Sequence, residues 1–211
     1  MQRLPFVLKF KPGKKEAGLE VLRTVWGGIK PVLDDMGVNN FSVWNIQNFL
    51  FCYGEYPDCV PAVPADARAA WEKALGDYLE VFSYPCTLPM MYHDIGIVRE
   101  DKSLIRHRVF ATHLKPGCAP EYKRRHDALV VARGAVVKEG PESNFTIWYA
   151  NGYIFGYCEL VKAFDHEKTE EEKASDIAWE TRGLEIMDWL TDDVDWITGE
   201  NHDHVQLVCQ Q

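Results

Sequence analysis

Apolar positions along the chain change period several times, and the order of those changes occurs twice. Residues 5–11 form a short strand-like run that stops at Lys11-Pro12-Gly13, a turn signal. Leu19, Leu22, Val25, Trp26, Ile29, Val32, Leu33 and Met36 then recur at three- and four-residue steps. That spacing predicts one long amphipathic helix, in spite of Gly27, Gly28 and Pro31. Strand-like runs follow at 40–46 and 49–56, then a helical pattern near 66–82 and a closing strand near 89–94. The second round begins with a strand over 107–114 and Lys115-Pro116-Gly117. A helix is predicted from about Pro120, a good first-turn residue, to Glu139 before Gly140-Pro141. Strands at 144–150 and 153–160 flank Asn151-Gly152, a tight-hairpin signal whose place in the first round is taken by Gln47-Asn48. A helix over 169–190 and a strand near 203–209 close the round.

The two rounds also share residues. A shift of 104 positions lays Phe6 on Phe110, Lys11-Pro12-Gly13 on Lys115-Pro116-Gly117 and Val32 on Val136. The same ungapped shift lays Asn40-Phe41 on Asn144-Phe145, Trp44 on Trp148, and Phe51, Tyr53, Glu55 on Phe155, Tyr157, Glu159. A shift of 108 then lays Ala70-Trp71-Glu72 on Ala178-Trp179-Glu180, which requires a small loop insertion. We read the chain as a tandem duplication with a first repeat at 1–95, a second at 107–211 and a polar connector at 96–106. Each repeat has the order β-α-β-β-α-β, the ferredoxin-like plan of an α+β fold: an antiparallel sheet with both helices on one face. The other face of each sheet is apolar and predicts that the two units pack sheet to sheet within one chain.

Composition narrows the function. A hydrophobic fraction of 46% and seven Trp are ample for packed cores. A net charge of -9 opposes binding to phosphate backbones, and Lys123-Arg124-Arg125 is the one dense basic cluster, so nucleic acid is excluded as a partner. No run reaches the length of a membrane span. Cys52, Cys59, Cys86, Cys118, Cys158 and Cys209 form no CxxC and no regular framework; with no apolar leader, this predicts a reduced, cytoplasmic protein. The glycosylation-like triplets at Asn40 and Asn144 lie inside strand patterns and read as structural. His202-Asp203-His204 would place two His on one strand face with no third ligand in view, so no metal is expected. Glu170-Glu171-Glu172 reads as a solvated helix start that suits the helix dipole.

The run Arg108-Val109-Phe110, Glu121-Tyr122-Lys123-Arg124-Arg125-His126, Asn144-Phe145-Thr146-Ile147 and Ile154-Phe155-Gly156-Tyr157-Cys158-Glu159 resembles the L-rhamnose mutarotase family. The resemblance is plainest in the second repeat. It implies a dimeric α+β barrel, here formed within one chain, and cofactor-free interconversion of the α and β anomers of a sugar. It also implies that Tyr122 and His126 lie at the sugar, with His126 as proton donor. In this family a Tyr stands at the position of Phe145, a Trp pair at Ala178-Trp179 and a Trp-Pro-Glu at Val130-Val131-Ala132. The first repeat has Gly18 and Leu22 at the Tyr122 and His126 positions, but keeps a Trp at Trp26. A single catalytic site is expected, in the second repeat.

Ring opening needs an acid, a base and a shaped pocket, and an imidazole of ordinary pKa near 6.5 can give and take protons at neutral pH. Tyr122 and His126 are four residues apart, hence on one helix face. Phe145 and Trp179 are expected as an apolar floor for the sugar, with Arg125 and His113 nearby; Trp71 and Trp179 serve packing at least as well as stacking. The expected partner is a monosaccharide, and the intrachain pseudo-dimer predicts a monomer or weak homo-oligomer. Two other readings stand beside this one: a sugar-binding or scaffold protein without catalysis, and a monooxygenase of the wider barrel superfamily.

Overall fold

The computed structural model describes residues 2–56, 62–137, 140–163, 169–190 and 205–211. In chain order these are β1 (Gln2–Arg3), β2 (Phe6–Phe10), α1 (Lys15–Asp35), β3 (Asn39–Ile46), β4 (Phe49–Tyr56), α2 (Ala65–Leu75), β5 (Leu79–Ser83) and β6 (Met90–Asp94). They continue with β7 (Ile105–Leu114), α3 (Ala119–Arg133), β8 (Glu142–Ala150), β9 (Tyr153–Val161), α4 (Glu170–Gly183), β10 (Met187–Trp189) and β11 (Val205–Gln210). The protein is α+β, with two antiparallel sheets and four helices among the described residues.

Residues 1–88 with 206–211 form one compact unit and residues 89–205 the other. In the first, the sheet order is β11-β3-β4-β2-β5, with β1 also paired to β4. α1 presents Leu19, Leu22, Ile29 and Leu33 to the core and stays continuous through Pro31. In the second unit, the order is β10-β7-β9-β8-β6, and Leu114, Ile147, Ile154, Ile186 and Met187 anchor the core.

The units echo one another in detail. Lys11 Nζ donates to Gly76 O at 2.5 Å, and Lys115 Nζ donates to Leu184 O at 2.6 Å. Asn40 and Asn144, the two sequon residues, both have positive φ and both donate Nδ2 to a glutamate, Glu55 at 3.1 Å and Glu159 at 3.0 Å. Both hairpins turn on a positive-φ residue, Gln47 and Asn151.

Three expectations need correction. The second helix of each repeat is shorter than predicted, because α2 ends at Leu75 and α4 at Gly183. Each helix gives way to a strand: Leu79–Ser83 pairs with β2 and Met187–Trp189 with β7, supplying the fourth strand of each plan. The runs near 89–94 and 203–209 therefore do not close their own repeats. Met90–Asp94 pairs with β8 of the second unit, and Val205–Gln210 lies beside β3 of the first, where Gln211 N donates to Phe41 O at 2.9 Å. The units thus run differently from the expected 1–95 and 107–211. Finally, α3 stops at Arg133, not Glu139, because Gly134 takes φ 66°, a conformation open to glycine. The connector is tied down locally: Arg99 donates to Ser143 Oγ at 3.0 Å and to Gly140 O at 2.8 Å.

At the start of α4, Thr169 Oγ1 accepts from Glu172 N at 3.2 Å, and Thr169 N donates to Glu172 Oε2 at 2.8 Å. This capping box makes Thr169→Ala a loss of about 1 kcal/mol. Chemical denaturation checks it, and an unchanged midpoint would refute the role of the cap.

Candidate active site

A cavity of about 610 Å³ opens in the second unit beside α3 and α4. Strand parity decides which β7 residues reach it: Arg108, Phe110 and Thr112 line it, two apart. His113 falls on the other parity and does not line the cavity; its ring packs on Tyr153 with centroids 4.9 Å apart. The remaining sequence-derived residues, Tyr122, Arg125, His126, Phe145 and Trp179, all line it.

His126 is the centre of the arrangement. It is only 7% exposed, and its ring stacks on Tyr122 with centroids 4.1 Å apart. Trp179 meets it edge-on at 5.4 Å and Tyr92 at 5.2 Å, so three aromatic side chains from α3, α4 and β6 cage the imidazole. Tyr92 also contacts Phe145 edge-on at 5.4 Å, and Phe110 extends that wall. Sequence reasoning missed Tyr92 because the strand carrying it comes at the end of the first repeat yet pairs with β8. Arg133 holds that strand, with an ion pair to Asp94 at 2.8 Å and a bond to His93 O at 3.2 Å.

Protonation follows from partners and burial. His126 Nδ1 lies 2.9 Å from Tyr122 O. A carbonyl can only accept, so Nδ1 carries the hydrogen and the neutral ring keeps its lone pair on Nε2. Burial pushes the His126 pKa below its ordinary 6.5, against the opposing pull of the Tyr122 carbonyl. The imidazole is therefore neutral at pH 7. Burial, reinforced by Glu180, holds the Tyr122 phenol well above its ordinary range, so its hydroxyl remains a donor throughout the working pH range. Burial raises Tyr92 in the same direction. Thr112 is 1% exposed, and its Oγ1 has no hydrogen-bond partner among the described residues.

Arg125 has a different setting from the others. It bonds Glu121 at 2.7 Å and Glu185 at 2.8 Å and donates to the Arg182 carbonyl, so it ties α3 to the end of α4 at the cavity's edge. The described residues contain no cluster able to hold a metal ion, and His202-Asp203-His204 lies outside them. The five described cysteines, Cys52, Cys86, Cys118, Cys158 and Cys209, are free thiols. No described helix is long and apolar enough to cross a membrane.

An NMR titration of the His126 ring is expected to show a midpoint below 6.5. The sign carries to stability: below pH 6.5 the unfolded imidazole binds a proton that the folded one resists. The folded state is therefore destabilised as pH falls from 6.5 toward the folded midpoint, and this group contributes no pH dependence above. A midpoint at or above 6.5 would contradict the buried setting.

The first unit has a counterpart cavity of about 310 Å³ with an almost wholly apolar wall, including Leu8, Leu22, Trp26, Phe41 and Trp71. Leu22 stands at the His126 position. A Cβ on Gly18 would meet Phe10 at 2.9 Å and Tyr78 at 3.1 Å, so nothing as large as Tyr122 fits there without rearrangement.

Neither curated proteins nor solved structures give a match to the chain. A model of the L-rhamnose mutarotase family matches residues 107–206, a span that supplies the walls of the polar cavity apart from Tyr92. Over residues 107–206, the unit that holds the caged imidazole, the chain is similar to the L-rhamnose mutarotase family.

Proposed function

We propose that the second unit interconverts the α and β anomers of L-rhamnose or a related aldose, without a cofactor, and that His126 moves the protons. The observation that carries this reading is the buried imidazole at the cavity wall, caged by aromatic rings, with Nδ1 committed to a carbonyl and Nε2 left for chemistry. His126 exchanges protons with the sugar through Nε2, while Tyr122 donates a hydrogen bond and positions the ring. Phe145, Trp179 and Tyr92 offer apolar faces to the C–H side of a pyranose. General acid–base help is worth about 10²–10⁴-fold, which suffices for a reaction that already runs in water. The first unit, with Leu22 and Gly18 at the key positions, takes no part in the chemistry. We further propose that the two units descend from one duplicated sequence, and that the protein works in the cytoplasm as a monomer or weak homo-oligomer.

Polarimetry on freshly dissolved single anomers tests the reading and names the sugar. The protein is expected to speed relaxation of L-rhamnose or another aldose in proportion to its concentration. Uncatalysed rates across deoxy and ordinary aldoses would refute it and favour a sugar-binding role without catalysis.

A further inference from the structure

α4 spans 14 residues, and its one buried residue is a carboxylic acid, Glu180, only 5% exposed. Ile177 on the same helix is 40% exposed, so apolar content does not explain which residue turns inward. Burying a carboxyl group is costly unless specific interactions offset it, and a helix seeking only to pack would bury an apolar side chain there. Glu172, Asp176, Trp179, Glu180 and Gly183 recur at helical spacing and form the stripe of α4 that borders the cavity.

The first unit supplies the contrast. A shift of 108 lays Glu72 on Glu180, yet the Glu72 side chain is 70% exposed and pairs with Arg68 one turn back at 3.4 Å. In the second unit the Arg68 position is Asp176. Glu180 is buried in the unit that has Tyr122 and His126; its counterpart also borders a cavity but stays largely exposed in the unit that has Gly18 and Leu22. The charge of Glu180 is also felt at the Tyr122 hydroxyl, which it helps keep protonated.

We propose that Glu180 is the second proton-transfer group of the site, working with His126. This rests on the anomer-exchange reading above. In its reacting form the pair holds one proton between them. The protonated member gives it to the ring oxygen as the C1–O5 bond breaks, and the other takes the proton from the anomeric hydroxyl as the C1=O1 bond forms. Rotation about C1–C2 presents the other face of the aldehyde. Closure then returns one proton from O5–H and one to O1, leaving the sugar isomerised and the pair with its single proton. No electron or co-reactant enters or leaves.

The test is a comparison of Glu180→Gln, Glu180→Asp and His126→Ala in the full chain, with anomer exchange measured against sugar concentration. Glu180→Gln is expected to lower kcat by about 10²-fold with KM little changed. Glu180→Asp, which keeps a carboxyl group, is expected to exceed Gln in kcat, an order that a packing role would not produce. The His126→Ala/Glu180→Gln double variant is expected to be no slower than the slower single variant, as for groups acting as a unit. Wild-type kcat in Glu180→Gln, Asp no better than Gln, or losses that multiply in the double variant would each overturn the assignment while leaving the anomer-exchange reading intact. A wild-type protein that exchanges no aldose would overturn both.

Discussion

Replacing His126 by Ala is expected to lower the rate of anomer exchange by about 10²–10⁴-fold, or roughly 3–5 kcal/mol of transition-state stabilisation. The ring touches Tyr122, Trp179 and Tyr92, so its removal takes away the imidazole and loosens the aromatic cage at once. Stability should change far less than activity. The imidazole borders an existing cavity of about 610 Å³, so its loss enlarges an opening already present and does not create a sealed void. It also removes a buried group whose depressed pKa makes the fold sensitive to acid. Leu22→Ala, the matching change in the first unit, is the control: that residue lines an apolar wall, so the variant is expected to lose stability and keep wild-type exchange per folded molecule. An unchanged rate in His126→Ala, or equal losses in both variants, would contradict a catalytic imidazole.

The largest expected effect on folding lies at Glu159. This carboxylate is 0% exposed and accepts from Lys102 Nζ at 2.8 and 3.0 Å, from Asn144 Nδ2 at 3.0 Å and from the Tyr157 hydroxyl at 3.1 Å. Lys102→Ala removes this cation from a carboxylate that stays fully buried. Such a broken buried pair costs about 3–5 kcal/mol, and the lower end fits here because the lysine side chain is 22% exposed. Glu159→Gln added to Lys102→Ala is expected to restore most of that loss, since the amide oxygen can still accept from Asn144 and Tyr157 without a charge to compensate. Denaturant unfolding of the two variants checks this. A double variant as unstable as Lys102→Ala would show that the lysine acts through packing and not through charge.

The hairpins, α1 and the Tyr122–His126 face were legible because each depends on local periodicity and turn chemistry. Asn151-Gly152 specified its hairpin, and spacing by four put Tyr122 and His126 on one face, which the stacked rings bear out. The pairing of β6 and β11 was not legible. Alternation reports which way a strand's side chains face, not which strand lies beside it, and Tyr92 was missed with that pairing. The fourth strands were hidden for another reason: Leu79–Ser83 and Met187–Trp189 come soon after their helices, and their apolar residues extend the helical pattern plausibly. His113 could have been sorted correctly, because a one-residue difference from Thr112 reverses the face of a strand. Glu180 carried no signal, since the repeat displays the same Ala-Trp-Glu triplet in both units and only burial distinguishes them.

The most direct test of the account is saturation-transfer NMR on L-rhamnose at anomeric equilibrium in the presence of the wild-type protein. Magnetisation passing between the α and β anomeric protons, at a rate proportional to protein concentration, is the predicted result. Exchange no faster than in protein-free buffer, there and for other aldoses, would contradict it and leave the cavity of the second unit a binding site without this chemistry.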